Sequence, residues 1–338
     1  MMRGGWLVAA AAFAALALTP AARAAEIARA ITYDTVPRPA GLPDDFAPTN
    51  GASLRFLTIT ALDGNANAAA LWQPQGKAAA DTTIVVSVHG SGSNYHDAPH
   101  KSLGRDLSAK GYAVLATNTR QHDQLINTDN FYDDRRDIEA AVMTARALGY
   151  RRLVLHGHSL GNVQVQFYAA TDWSPDVKAV ILTGPFANLP WKSRNILIGS
   201  EESYKALSED AMAGLRSGAL TEPLQHKMHY ITGQDVPVTA QHFLTYRSTE
   251  VSAADGTFWI RRIPYPILMV RDQADGIVLP FEPHMLLSAA DAEGSLVTSI
   301  KFVLLPDPRP PSGDAHSFVG NEEKLSETVL SWLADQKL

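Results

Sequence analysis

Short apolar runs alternate with amphipathic stretches along most of the chain. Residues 83–88, Thr-Ile-Val-Val-Ser-Val, are β-branched or apolar almost throughout, the pattern of a strand covered on both faces of a parallel sheet. Runs at 113–117, 153–156, 177–182, 267–270 and 300–304 predict further strands of the same kind. Ile138, Ala141, Val142, Ala145 and Leu148 recur at helical spacing and predict a helix over 133–148, ended by Gly149. Helices are also predicted near 99–110, 162–171 and 322–334, and two earlier strands at 54–61 and 68–72 flank the turn Asp63-Gly64-Asn65. Strands alternating with helices in this way predict an α/β fold, with a mostly parallel, doubly covered sheet and right-handed crossovers.

Three stretches depart from this rhythm. Residues 25–50 carry Pro37, Pro39, Pro43 and Pro48, which predicts an irregular lead-in. Between the strand ending near Gly184 and the one starting near Pro266 lie about 80 residues without a convincing buried strand, far more than the usual connection of about 2–6. This predicts a largely helical cap inserted at about 186–262 into one α/β domain spanning 51–338. Its aromatics, among them Phe186, Trp191, Tyr204, Tyr230 and Tyr246, are expected to build the cap's own small core, with some facing a substrate pocket. At the start, Arg3, the apolar run 6–18 and Ala22-Arg23-Ala24 read as an export signal, residues 1–24, cleaved after Ala24. The run is too short to span a bilayer, so the expected destination is periplasmic or extracellular, with no stable membrane insertion after cleavage.

Composition narrows the chemistry. With 338 residues, 46% hydrophobic and 19% charged, the chain is that of an ordinary folded protein with room for a sizeable core. It has no cysteine, which excludes disulfides, thiolate metal sites and a thiol nucleophile, and leaves an oxygen or nitrogen group for any covalent chemistry. The net charge is −6, and losing Arg3 and Arg23 with the signal makes the remainder more acidic. An acidic chain without a Lys/Arg cluster lacks the footprint of a nucleic-acid binder. No oligomeric state is readable.

The candidate chemistry centres on Gly157-His158-Ser159-Leu160-Gly161, a Gly-x-Ser-x-Gly pattern between a buried strand and a helix. The tight turn forces the serine into a strained conformation that lifts its hydroxyl above the sheet, and glycine two residues to either side lets strand and helix approach closely. His158 is expected to support this elbow or line the pocket rather than titrate in the reaction. Upstream, His89-Gly90-Ser91-Gly92 ends another buried strand. A dinucleotide-binding reading of that loop fails, because Tyr95 stands where the third glycine is needed and no acid ends the next strand. His96 and His100 stand four apart, but Pro99 within that spacing favours a loop and helix start over a metal site. Arg120 and the Asp133-Asp134 pair read as surface or loop-bracing charges, and His242 falls in no readable pattern.

From about Leu54 to Ala334 the sequence resembles the α/β-hydrolase fold family, in particular its serine esterases and lipases. The resemblance implies Ser159 as nucleophile, His316 in Gly-Asp-Ala-His-Ser-Phe as base and Asp275 in Arg-Asp-Gln-Ala-Asp-Gly as the acid, in the chain order Ser, Asp, His. Asp272 stands where the family usually has glycine and is the alternative acid; Asn162 stands where many relatives have a second small residue. The resemblance further implies an oxyanion hole from the backbone N–H groups of Ser91 and Leu160, a small-molecule ester substrate, and neither cofactor nor metal. The expected function is an exported serine hydrolase, a carboxylesterase, acting through an acyl-enzyme. A peptidase or amidase on the same fold is the alternative, and a non-catalytic binding protein a third reading.

Overall fold

A computed structural model describes residues 31–230 and 233–338; the export signal expected at 1–24 lies outside the described residues. Nine strands form one sheet: β1 (Thr32–Val36), β2 (Ala52–Thr60), β3 (Ala66–Pro74), β4 (Thr83–Val88), β5 (Ala113–Thr117), β6 (Arg152–His158), β7 (Val177–Thr183) and, beyond a small hairpin of β8 (Met228–His229) and β9 (Asp235–Val236), β10 (Ile267–Asp272) and β11 (Ile300–Leu305). Their spatial order is β1-β2-β3-β5-β4-β6-β7-β10-β11. From β5 to β11 every neighbouring pair is parallel, whereas β1, β2 and β3 pair antiparallel and β3 joins β5 antiparallel. Every residue of β4, β5 and β10 is buried, in accord with their unbroken apolar sequences.

The expected irregular lead-in needs one correction. Thr32 to Val36 are β-prone and precede the first of the four prolines, and they form β1 as an edge strand on β2. A proline-free start and one free edge are what an edge strand requires.

Helices cover both faces. On one, α2 (Phe131–Ala147), α3 (Leu160–Thr171) and α5 (Glu282–Ala290) pack Ile138, Val142, Val165, Tyr168 and Leu286 against Val86, Leu155 and Met269 of the sheet. On the other, α1 (His100–Ala109) and α6 (Glu322–Asp335) pack Leu103, Leu107, Leu325, Val329 and Trp332 against Val85, Val154 and Leu268. The α2 start is capped by Asn130, whose side chain accepts the Tyr132 N–H.

Between β7 and β10 the chain forms short helices, one long helix, α4 (Glu201–Ser217), and the β8–β9 hairpin. This segment has a small core of its own, in which Tyr204, Leu207, Ala211, Met228 and Phe243 meet. A second cluster joins it to the body of the molecule: Phe186, Leu189 and Tyr246 pack on Phe131, Leu160 and Val163, so the segment lies directly over the first turn of α3. Among the described residues no helix is long and apolar enough to cross a membrane.

Candidate active site

Ser159 occupies the corner between β6 and α3 with φ 52° and ψ −119°, a conformation that costs a non-glycine residue about 1–3 kcal/mol. The two flanking glycines explain how the corner closes. A Cβ on Gly157 would lie 2.4 Å from the Gly161 carbonyl oxygen, and a Cβ on Gly161 would lie 2.5 Å from the Val88 carbonyl oxygen of β4. Gly161→Ala is therefore expected to push α3 away from β4 at a cost of about 3 kcal/mol, lowering Tm by roughly 5–10 °C. The control is Gly218→Ala, at the end of α4, where φ is +77° and the added methyl meets nothing within 4 Å; about 1 kcal/mol is expected there, from backbone strain alone. Equal thermal shifts for the two variants would refute the steric account.

The loop after β4 runs against this corner: a Cβ on Gly90 would lie 2.8 Å from that of Ser159. His89 orients the loop. Its Nε2 accepts the Thr119 N–H at 3.0 Å, so Nδ1 carries the proton and donates to the Gly90 carbonyl at 2.7 Å. Burial drives the pKa of His89 down to about 4, which keeps the ring in this neutral form. Because the peptide unit is planar and trans, anchoring the Gly90 carbonyl directs the Ser91 N–H the opposite way. Leu160 is the first residue of α3, and its N–H has no carbonyl in a preceding turn to bond. Ser91, Ser159 and Leu160 line one cleft.

Asp275 and His316 come together from separate loops. Asp275 Oδ1 accepts the N–H groups of Ile277 and Val278 at 2.8 and 2.9 Å, and Oδ2 faces His316 Nδ1 at 2.9 Å. The loops are stitched by backbone bonds from Gly276 N–H to the Ser312 carbonyl and from Ser312 N–H to the Ala274 carbonyl. Burial pushes the Asp275 pKa up, but His316 and the two backbone N–H groups outweigh it and hold the carboxyl below its usual range. Gly184, with φ +55°, makes room for the imidazole, since a Cβ there would lie 2.8 Å from His316 Cε1. The ring of His158 lies 4.9 Å from that of His316, centroid to centroid. His316 Nε2 is buried and makes no hydrogen bond to a described residue, so the Ser159–His316 bond is not formed in this conformation.

Asp272, the alternative acid, reaches no histidine. Its carboxylate accepts from Asn321 Nδ2 at 2.7 Å and the Ala274 N–H at 2.8 Å, bracing the turn after β10. Asn162 donates to the carbonyls of Thr183 and Gly184 at 2.9 and 3.0 Å, a bond from α3 to the end of β7 that a glycine could not make.

Other buried polar groups surround the site. Ser87 Oγ lies 2.7 Å from Nδ1 of both His100 and His156, His156 Nε2 contacts Thr183 Oγ1, and Thr183 Oγ1 contacts His158 Nδ1. Ser87 is fully sunk in β4 and lines none of the clefts described, so this serine–histidine contact is structural. His100 is thus committed to Ser87, while His96 pairs with Asp97 at 3.4 Å; the two rings do not converge. Arg120 braces loops as expected, with Asp137 and Asp63. The expectation for Asp134 is corrected: it is completely buried beside Asp129, Tyr246 and Gln164, because α2 turns that position inward beneath the cap.

The cleft over Ser159 is walled by Phe186, Leu189, Leu197 and Ile277, with Lys192, Tyr230 and Arg247 as its polar members. It encloses about 380 Å³ including the open mouth, of which about 40 Å³ is wide enough for a water-sized molecule. Nothing in local sequence marks Lys192 or Arg247 as cleft residues, since only the fold of the cap brings them there.

A family model described as alpha/beta hydrolase fold matches residues 83–205. No curated protein sequence gives a significant match. Among solved structures, Est1E from Butyrivibrio proteoclasticus is similar with a TM-score of 0.61 at 16% identity, over 85% of this chain and 99% of that one. The Pyrococcus furiosus esterase Pf2001 gives a TM-score of 0.55 at 14% identity, over 89% and 97%. The acylaminoacyl peptidase of Pyrococcus horikoshii gives 0.56 at 12%, over 84% of this chain and 42% of that one. The chain has the α/β-hydrolase fold, with the strand order and the covered, mostly parallel sheet described above.

Proposed function

We propose that the protein is a serine hydrolase that cleaves carboxylic esters through an acyl-enzyme. The observation that carries this reading is Ser159 at a strained strand–helix corner, whose neighbour His158 has its ring 4.9 Å from that of a buried His316 already joined to Asp275. A serine hydroxyl is a weak nucleophile at neutral pH, so Oγ attacks the ester carbonyl as His316 Nε2 takes its proton. Asp275, bonded to Nδ1, fixes the tautomer that leaves Nε2 free to accept and stabilises the imidazolium that forms. The negative charge of the tetrahedral intermediate falls to the N–H groups of Ser91 and Leu160, with the N-terminal end of α3 behind them. The imidazolium returns its proton to the departing alcohol, and a water activated by the same ring then releases the acid. We further propose that the protein acts outside the cytoplasm, a reading supported by Arg3, the apolar run 6–18 and Ala22-Arg23-Ala24.

The test is direct. The purified protein should hydrolyse short-chain 4-nitrophenyl esters, and a fluorophosphonate should label it at Ser159 and stop turnover. Failure of both would remove the basis for any serine-hydrolase reading. Aminoacyl anilides turned over faster than esters would reassign the enzyme as a peptidase or amidase.

A further inference from the structure

Among the described residues the buried cations have close partners, with one exception. Lys192 meets Glu282 at 2.6 Å and the Ile277 carbonyl at 2.7 Å, and Arg271 donates to the carbonyls of Asp275 and Val278 at 2.9 and 2.8 Å. Arg247 ends the short helical stretch Phe243–Arg247 on the wall of the Ser159 cleft and is only 2% exposed. No carboxylate of a described residue lies within 4.0 Å of its guanidinium. Its Nη1 and Nη2 reach only neutral oxygens, Ser193 Oγ and Asn127 Oδ1, both at a long 3.4 Å, and its buried Nε has no partner among the described residues. Asp129 acts on its charge through space, but the Asp129 oxygens are held by His242 Nδ1 at 2.9 Å and the Tyr246 hydroxyl at 2.5 Å. Asn127 Nδ2 is also buried without a partner.

A guanidinium does not lose its proton in a protein, and burying one with its N–H groups uncommitted is strongly unfavourable unless something else uses them. Arg247 is set in the wall of the cavity in which Ser159 sits, among apolar residues that exclude water and strengthen any charge pairing. Its planar fork matches a carboxylate. Because Glu282 already neutralises Lys192, the wall offers one cation and not two, which fits a singly charged group better than a phosphate. Building on the proposed esterase activity, we propose that the substrate is an ester that also carries a carboxylate, such as a monoester of a dicarboxylic acid, held with that carboxylate on Arg247 and its ester carbonyl at Ser159.

Two measurements test this. The first compares kcat/KM for the monomethyl esters of succinic, glutaric and adipic acids with that for methyl butyrate, valerate and hexanoate. One of the acidic esters should exceed its neutral counterpart at least tenfold. Arg247→Met should lower that ratio at least tenfold, chiefly through KM, and Arg247→Lys should restore part of it. A wild-type ratio at or below one, or a ratio unmoved by Arg247→Met in a folded variant, overturns the proposal. The second asks whether succinate, glutarate or adipate raises the Tm of Ser159→Ala while glutaramide does not, and whether adding Arg247→Met removes the effect. Absence of any stabilisation by the three dicarboxylates also counts against the proposal, and needs no Arg247 variant that folds. Dicarboxylate binding through Arg247 without turnover of any ester would sink the esterase reading alone. Turnover of neutral esters without a preference for acidic ones would sink the carboxylate proposal alone.

Discussion

Ser159→Ala is expected to lower the proposed ester turnover by about 10⁴-fold or more while the protein stays folded. Alanine bears the same positive φ that serine already bears at this corner, so the substitution removes the nucleophile without adding backbone strain. Asp275→Asn is expected to lose a comparable factor, about 10⁴, because the amide can hold the histidine in the wrong tautomer. Two controls make the assignment specific. Asp272→Asn disturbs the brace to Asn321 and Ala274 and should lower Tm with little change in kcat. Ser87→Ala removes the hydroxyl shared by His100 and His156 and should likewise act on stability, although Ser87 is the serine with close histidine contacts among the described residues. The measurements are kcat on a 4-nitrophenyl ester and a thermal melt for each variant. Wild-type turnover in Ser159→Ala would place the nucleophile elsewhere, and a large kcat loss in Asp272→Asn with Asp275→Asn spared would exchange the two acids.

How far the sequence could be read follows from the range of the forces involved. The buried strands and amphipathic helices are written in local periodicity, and the elbow is local too: Gly157, Ser159 and Gly161 are adjacent in sequence and act on one another and on β4. The Ser159 corner, its strand and its helix were therefore legible. Asp275 and Asp272 are both acids after one strand, and only the fold of the Ser312–His316 segment shows which carboxylate a histidine meets. β1 was hidden because its pairing depends on an edge of β2 that local pattern cannot reveal. Asp134 and Arg247 were hidden for a stronger reason. A charged residue in sequence reads as solvated by default, and burial here comes from the cap folding across α2 and α3, contacts made between positions more than 100 residues apart.

The melting temperature should fall by roughly 10 °C or more between pH 7 and pH 5. Four histidines near the active site are completely buried: burial drives His156 down to about 3 and His89 down to about 4, and it holds His100 and His158 well below the usual value of 6.5. In the unfolded chain all four take up protons near pH 6.5, whereas the folded protein refuses them until well below that, at about pH 4 for His89 and about pH 3 for His156. Stability is therefore fully present above about pH 6.5 and is lost as pH falls through the window between 6.5 and 3–4. Each group contributes a slope of about 1.4 kcal/mol per pH unit, so four together approach about 5.6 kcal/mol per pH unit, large against a typical total stability of about 5–15 kcal/mol. Asp134 works the other way: burial and its acidic neighbours raise its pKa well above the carboxylate range, so the folded state gains a proton there as pH falls. Burial also raises the carboxyls of Asp137, Glu139 and Asp272, and together these acids offset part of the histidine contribution. Thermal melts in a buffer series from pH 7.5 to 5 test the sum, and a flat profile would contradict it. Replacing His156 by asparagine should lower the slope by about one proton. The same burial serves the proposed chemistry, because His158 lies 4.9 Å from His316 and repels it electrostatically if both are charged. A neighbour kept neutral through the working pH range lets His316 alone take the proton from Ser159.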